Sequence, residues 1–127
     1  MSEDDLVGVR YMVDDVQAAV DFYTGHVGFS LRHSALPAFA DIVRGKLRLL
    51  LAGPKSSTKR PMPDSRKPRP GGWNRIHLIV DDLAAEVERL RAAGVPFRNE
   101  IVTGPGGSQI LLEDPSGNPI ELFQPAA

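Results

Sequence analysis

The chain has no cysteine among its 127 residues, which excludes disulfides, thiolate nucleophiles and cysteine-ligated zinc or iron–sulfur centres. It has no apolar run of bilayer-spanning length. Excess charge is missing as well: 15 Lys and Arg against 16 Asp and Glu leave a net charge of −1, so no broad field favours nucleic acid or an acidic membrane surface. Gly104-Pro105-Gly106-Gly107 is not followed by Gly-Lys-Ser/Thr and is no phosphate loop. Ser56, Ser57, Ser65, Ser108 and Ser116 have no nucleophile-elbow context, which argues against a hydrolytic triad. The first residues, Met1-Ser2-Glu3-Asp4-Asp5, are acidic where a signal peptide would be basic and then apolar, and predict a cytoplasmic protein.

What is present is the composition of an ordinary globular chain, 42% hydrophobic and 24% charged, with the length of a single domain, 1–127. Leu6 to Val13 alternates as a strand, with Val7, Val9, Tyr11 and Val13 on one row and Gly8, Arg10 and Met12 on the other. Asp14 or Asp15 can cap the helix that follows. Its stripe is Val16, Ala19, Val20, Tyr23 and Val27, and Gly25 and Gly28 mark its end. Phe29 to Arg32, Ala38 to Val43 and Lys46 to Ala52 read as three strands, the last two joined at Arg44-Gly45.

Residues 53 to 72 break every periodicity. They contain Pro54, Pro61, Pro63, Pro68 and Pro70, and their basic run from Lys55 to Arg69 is interrupted only by Asp64. The segment 55–72 reads as a linker or mobile loop; the competing functional reading is a cationic lid over an anionic ligand. No aromatic is interleaved with these cations, which argues against a nucleic-acid groove.

The plan then repeats. Trp73 to Val80 is a strand with Ile76, Leu78 and Val80 on one face and Arg75, His77 and Ile79 on the other. Asp81 or Asp82 caps a helix with the stripe Leu83, Val87, Leu90 and Ala93, closed by Gly94. Phe97 to Val102 and Ser108 to Glu113 read as strands around a turn at residues 103–107, and Asn118 to Gln124 is the last strand. The turn before it, Asp114-Pro115-Ser116-Gly117-Asn118, suits a hairpin corner, with Gly117 or Asn118 at positive φ and Asp114 bonding the backbone two residues on. Beyond it Ile120 and Leu122 face one layer, Glu121 and Phe123 the other.

Val13-Asp14-Asp15-Val16 recurs as Val80-Asp81-Asp82-Leu83, and Gly28-Phe29 recurs around Gly94 to Phe97, so the chain is an internal repeat. With its closing Glu113-to-Phe123 stretch it resembles the vicinal oxygen chelate superfamily of glyoxalase I, bleomycin-resistance proteins and extradiol dioxygenases. The resemblance implies an α+β fold of two βαβββ modules, here 6–54 and 73–125, whose sheets curl around a cleft for a small molecule. It also implies a homodimer, and in the metal-bearing members a divalent ion such as Zn, Ni, Mn or Fe.

Superposing the two Val-Asp-Asp sequences places Arg10 opposite His77; superposing Gly53-Pro54 on Gln124-Pro125 places Leu50 opposite Glu121. These are the family's four metal-ligand positions, and only His77 and Glu121 carry the expected donors. Two ligands hold a divalent ion poorly, and a guanidinium at a third position repels it. His77 and Glu121 are therefore low-coordination metal ligands, or a metal-free acid–base pair and so the candidates for catalysis, or groups that merely satisfy each other or Arg10 in a ligand-binding cup. His26, near a helix end, and His33, ending a short strand, add no ligand set. The cleft is expected to be lined by Arg10, Met12, Leu50, His77, Ile79, Glu121 and Phe123, and Arg10 is expected to pair with Glu121 or with an anionic ligand. Two functions follow: a small-molecule binder of the bleomycin-resistance type without a cofactor, or a metal-dependent lyase, isomerase or dioxygenase. No nucleic acid or membrane partner is expected.

Overall fold

The structure is a computed structural model describing residues 5–127; the acidic start, Met1 to Asp4, lies outside the described residues. The chain divides into two compact units, one running through Pro70 and the other spanning Gly71–Ala127.

The first unit is β1 (Val7–Met12), α1 (Val16–His26), β2 (Ser30–Ala35), β3 (Phe39–Arg44) and β4 (Leu47–Ala52). Its four strands lie in the order β1-β4-β3-β2, with β1 parallel to β4 and the others antiparallel. Of the two candidate caps it is Asp15 whose side chain accepts from the Ala18 N–H, at 3.0 Å. Val16, Ala19, Val20, Phe22 and Tyr23 form the buried face of α1, and Ala40, Ile42, Leu49 and Leu51 are wholly buried on the strands beneath. Phe22, outside the expected stripe, is recruited by edge-on packing against Tyr23, 5.1 Å between ring centroids.

The second unit repeats this with β5 (Ile76–Ile79), α2 (Leu83–Ala92), β6 (Val102–Gly104), β7 (Gly107–Glu113) and β8 (Pro119–Pro125). The order is β5-β8-β7-β6, again with the helix-preceding strand parallel to the last one. Asp82 caps α2 by accepting from the Ala85 N–H. Ile76, Leu78, Ile110, Leu112, Ile120 and Leu122, together with Leu83, Val87 and Leu90 of α2, form its core.

Several sequence expectations shift. The strand expected over Phe97 to Val102 does not form as such: Phe97 makes an isolated bridge to Leu112, and β6 begins only at Val102, the last residue of that stretch, and runs through Thr103 and Gly104 into the stretch read as a turn. The chain here instead pairs through Arg98 and Asn99, whose backbone N–H and side-chain carbonyl, respectively, bond Leu111. β5 is shorter than Trp73 to Val80, running only from Ile76 to Ile79. β2 runs Ser30–Ala35 rather than Phe29 to Arg32, extended across a bulge between Leu31 and His33. The β3–β4 turn falls on Gly45 and Lys46, with Gly45 at φ 59°. Ala93 leaves the core row as the C-cap of α2, and Gly94 follows at φ 82°.

The corner before β8 forms as its residues suggest. The Asp114 carboxylate accepts from the backbone N–H of Ser116 at 2.8 Å and of Asn118 at 2.9 Å, and Gly117 takes the positive φ, 82°. Arg98 binds this corner to the start of the unit: it donates to Glu113 at 2.8 Å, to the Gly117 carbonyl at 2.9 Å and to the Gly72 carbonyl at 2.6 Å. Its guanidinium also lies 4.7 Å from the Trp73 ring centroid.

Candidate functional site

Parallel pairing of β5 with β8 sets His77 directly beside Glu121 and Ile79 beside Phe123. Because side chains alternate along a strand, burial of Ile76, Leu78, Ile120 and Leu122 against α2 turns His77, Ile79, Glu121 and Phe123 to the opposite face. Leu111 of β7 and Gln109 lie on that same face, opposite Glu121 and Phe123.

Glu121 is only 7% exposed and its charge is answered locally. Arg75 donates to Oε1 through Nε at 3.0 Å, and its Nη2 stands 2.9 Å from the same oxygen in an ion pair. The other oxygen, Oε2, is 3.6 Å from His77 Nε2, and the His77 ring stacks at a tilt on Phe123, 5.0 Å between centroids. Arg75 also donates to the Trp73 carbonyl at 3.3 Å, which fixes its stem. The result is a carboxylate with one edge clamped and the other turned to an exposed imidazole.

In the first unit the matching strand pair is β1 with β4, and its register sets Arg10 beside Leu50 and Met12 beside Ala52. The internal repeat therefore holds residue for residue: Arg10 and Leu50 occupy in one sheet the positions of His77 and Glu121 in the other. Arg10 is exposed, and Met12 and Leu50 are half-buried. His26 packs against Phe22 at the end of α1, with 5.6 Å between centroids, and His33 is exposed on β2.

The structure thus gathers His77, Ile79, Glu121 and Phe123 on one sheet face and Arg10, Met12 and Leu50 on the equivalent face of the other sheet. Arg75 is the residue that sequence reading passed over. The signal was its place two residues before His77, on the same row.

These residues do not fit the metal centre of the family's enzymes. Leu50 offers no donor, Arg10 is a cation, and the Glu121 carboxylate is already engaged by Arg75. Among the described residues no group of three or more His, Asp or Glu side chains is placed to hold an ion.

Two repeated βαβββ sheets, each turning a mixed polar and apolar face away from its helix beside its parallel strand pair, define a glyoxalase-type fold. The chain belongs to the Glyoxalase/Bleomycin resistance protein/Dioxygenase superfamily, whose pattern it matches over residues 6–122. It is 28% identical over 120 residues to the Bacillus subtilis protein YwbC, covering 89% of this chain and 91% of that one. Among solved structures it resembles TnmS3, an antibiotic binding protein from Streptomyces sp. CB03234, with 28% identity, 95% of each chain covered and a TM-score of 0.73. It also shares its fold with the lactoylglutathione lyase of Agrobacterium tumefaciens, at 22% identity, with 94% and 92% of the two chains covered and a TM-score of 0.74. No helix among the described residues is long and apolar enough to cross a membrane.

Proposed function

We propose that this chain binds a small organic molecule, a reading supported by its likeness to TnmS3, an antibiotic binding protein, and that it does so without a metal. The observation that carries the reading is the Arg75–Glu121 clamp. The carboxylate that relatives offer to an ion is here held by a hydrogen bond and an ion pair to a guanidinium of its own unit, and charge-assisted pairs of this kind are not surrendered cheaply. The sheet face around it, with Phe123, His77, Ile79 and Leu111, offers apolar area and a few polar groups, the usual composition of a ligand site. The proposal extends to a cytoplasmic homodimer, the common closed assembly, which light scattering at micromolar concentration checks: a monomer would count against it.

The test has two arms. Protein purified without chelator is assayed for bound metal and titrated calorimetrically with zinc, nickel, manganese and ferrous iron, and a small-molecule library is screened by thermal shift. The expected result is metal far below one equivalent and a concentration-dependent rise in Tm with some library members. The second reading, a metal-dependent lyase, isomerase or dioxygenase, draws on the 3.6 Å approach of His77 to Glu121. Tight binding of one equivalent of metal, lost in His77→Ala, would establish it in place of the first.

A further inference from the structure

The first unit has an ionic cluster of its own, away from the face covered by α1. Asp41, in the middle of β3, is 1% exposed. Its Oδ2 accepts from Arg32 Nη1 at 2.5 Å and from Arg48 Nε at 3.0 Å. Both arginines use the same oxygen, and Oδ1 is buried without a hydrogen-bond partner among the described residues. Leu50 is flanked by Asp41 on β3 and by Arg10 on β1. Arg48, two residues before Leu50 on β4, therefore shares their face and stands diagonal to Arg10, within reach for long side chains.

Arg10, Arg32 and Arg48 against Asp41 leave an excess of positive charge on one sheet face. Arg10 is exposed and has no ion-pair partner among the described residues. Arg48 is held by Asp41 through Nε alone, and its side chain is 37% exposed. Around them Met12, Val43 and Leu50 are half-buried and apolar. Neighbouring guanidinium groups repel each other, and two of them beside an apolar floor form a fork for an oxyanion.

We propose that this face is an oxyanion subsite. Arg10 and Arg48 bind the carboxylate, phosphate or phosphonate group of a small ligand whose apolar part lies on Met12, Val43 and Leu50, and Asp41 is a positioning residue that orients Arg48. The proposal rests on the small-molecule reading above and narrows it to anionic ligands.

The test is calorimetric titration with three probes of similar size, benzoate, phenylphosphonate and neutral benzyl alcohol, at low and physiological salt. At least one anion is expected to bind about tenfold or more tightly than the alcohol; comparing the two anions shows which oxyanion is preferred. Arg10→Met and Arg48→Met, on exposed and half-exposed positions, are each expected to abolish that preference without weakening the alcohol. Asp41→Asn discriminates by sign. Removing a negative charge alone would raise anion affinity, whereas loss of Arg48 orientation lowers it, and the lowering is expected while the alcohol is unaffected. A rise overturns the positioning role. The subsite is overturned if anions and alcohol bind alike, if no probe binds, or if the preference survives both arginine variants but is lost in a Lys59→Gln, Arg66→Gln, Lys67→Gln, Arg69→Gln variant of the basic loop. A library screen that yields only neutral ligands leaves the binding function standing and overturns the subsite.

Discussion

Arg75, just ahead of β5, and Glu121 of the neighbouring β8 are ion-pair partners in the second unit, with Nε and Nη2 at 3.0 and 2.9 Å from a single carboxylate oxygen. This bond takes the carboxylate that sequence alignment offers to a metal and makes it part of the unit's own framework.

The clamp has a stability signature. Arg75→Met leaves a nearly buried carboxylate with only His77 beside it, which should cost on the order of 1–3 kcal/mol in urea unfolding. Adding Glu121→Leu should recover part of the loss, because replacing both partners by apolar groups removes the stranded charge. A single variant within about 0.5 kcal/mol of the parent, the range of ordinary surface changes, would show that the pair does not hold the site.

Arg98 is expected to matter more than its loop position suggests. Its guanidinium bonds Glu113 and two backbone carbonyls, those of Gly72 and Gly117. Arg98→Leu keeps an apolar stem but strands these acceptors, and should destabilise by roughly 2 kcal/mol or more. Lysine, a point charge without the fork, should rescue only part of this. Full rescue by Arg98→Lys in chemical denaturation would argue against the geometric role.

Gly107 opens β7 at φ 147°, and a Cβ there would lie 2.2 Å from the Gln124 carbonyl oxygen and 2.9 Å from the Phe123 ring. Backbone has to move to admit it, so Gly107→Ala should lower stability by about 3 kcal/mol or more and disturb the β7–β8 pairing that carries Glu121 and Phe123. Gly106→Ala, with nothing within 4 Å of its Cβ, is the control and should change little. Equal melting temperatures for the two variants would sink the argument.

The loop from Lys55 to Arg69 should be where trypsin cuts first. Its cations are mostly exposed, and its internal order rests on a single 3₁₀ turn, Ser57–Lys59, and on local bonds such as Asp64 with Arg66 at 2.7 Å. Lys59, Met62, Arg66, Lys67, Pro68 and Arg69 line an open cleft of about 1000 Å³. Limited proteolysis with mass spectrometry should find the first cleavages between these residues, with both fragments still co-eluting, as expected of a tether between modules 6–54 and 73–125. Protection of the loop by added polyanion would favour the lid reading instead.

The sequence alone determined the repeat, the order of elements and the face each strand residue takes. These follow from local causes: period-two alternation in Ile76 to Val80 and Ile120 to Phe123, helical stripes after Asp15 and Asp82, and an Asp-Pro-Ser-Gly-Asn corner whose bonds span only a few residues. The correspondence of Arg10 with His77 and of Leu50 with Glu121 was legible for the same reason, since strand registers inherit the spacing of the repeated motifs. Tertiary structure decided what local rules cannot weigh. The strand read at Phe97 to Val102 gave way because Arg98, Asn99 and Phe97 found partners on β7 and in the closing corner. Glu121 found Arg75, and Asp41 found Arg32 across a bulge and Arg48 across a hairpin. Ion pairing depends on which side chains a fold brings within about 3–4 Å, and the partner of each buried carboxylate was set by strand pairing in space.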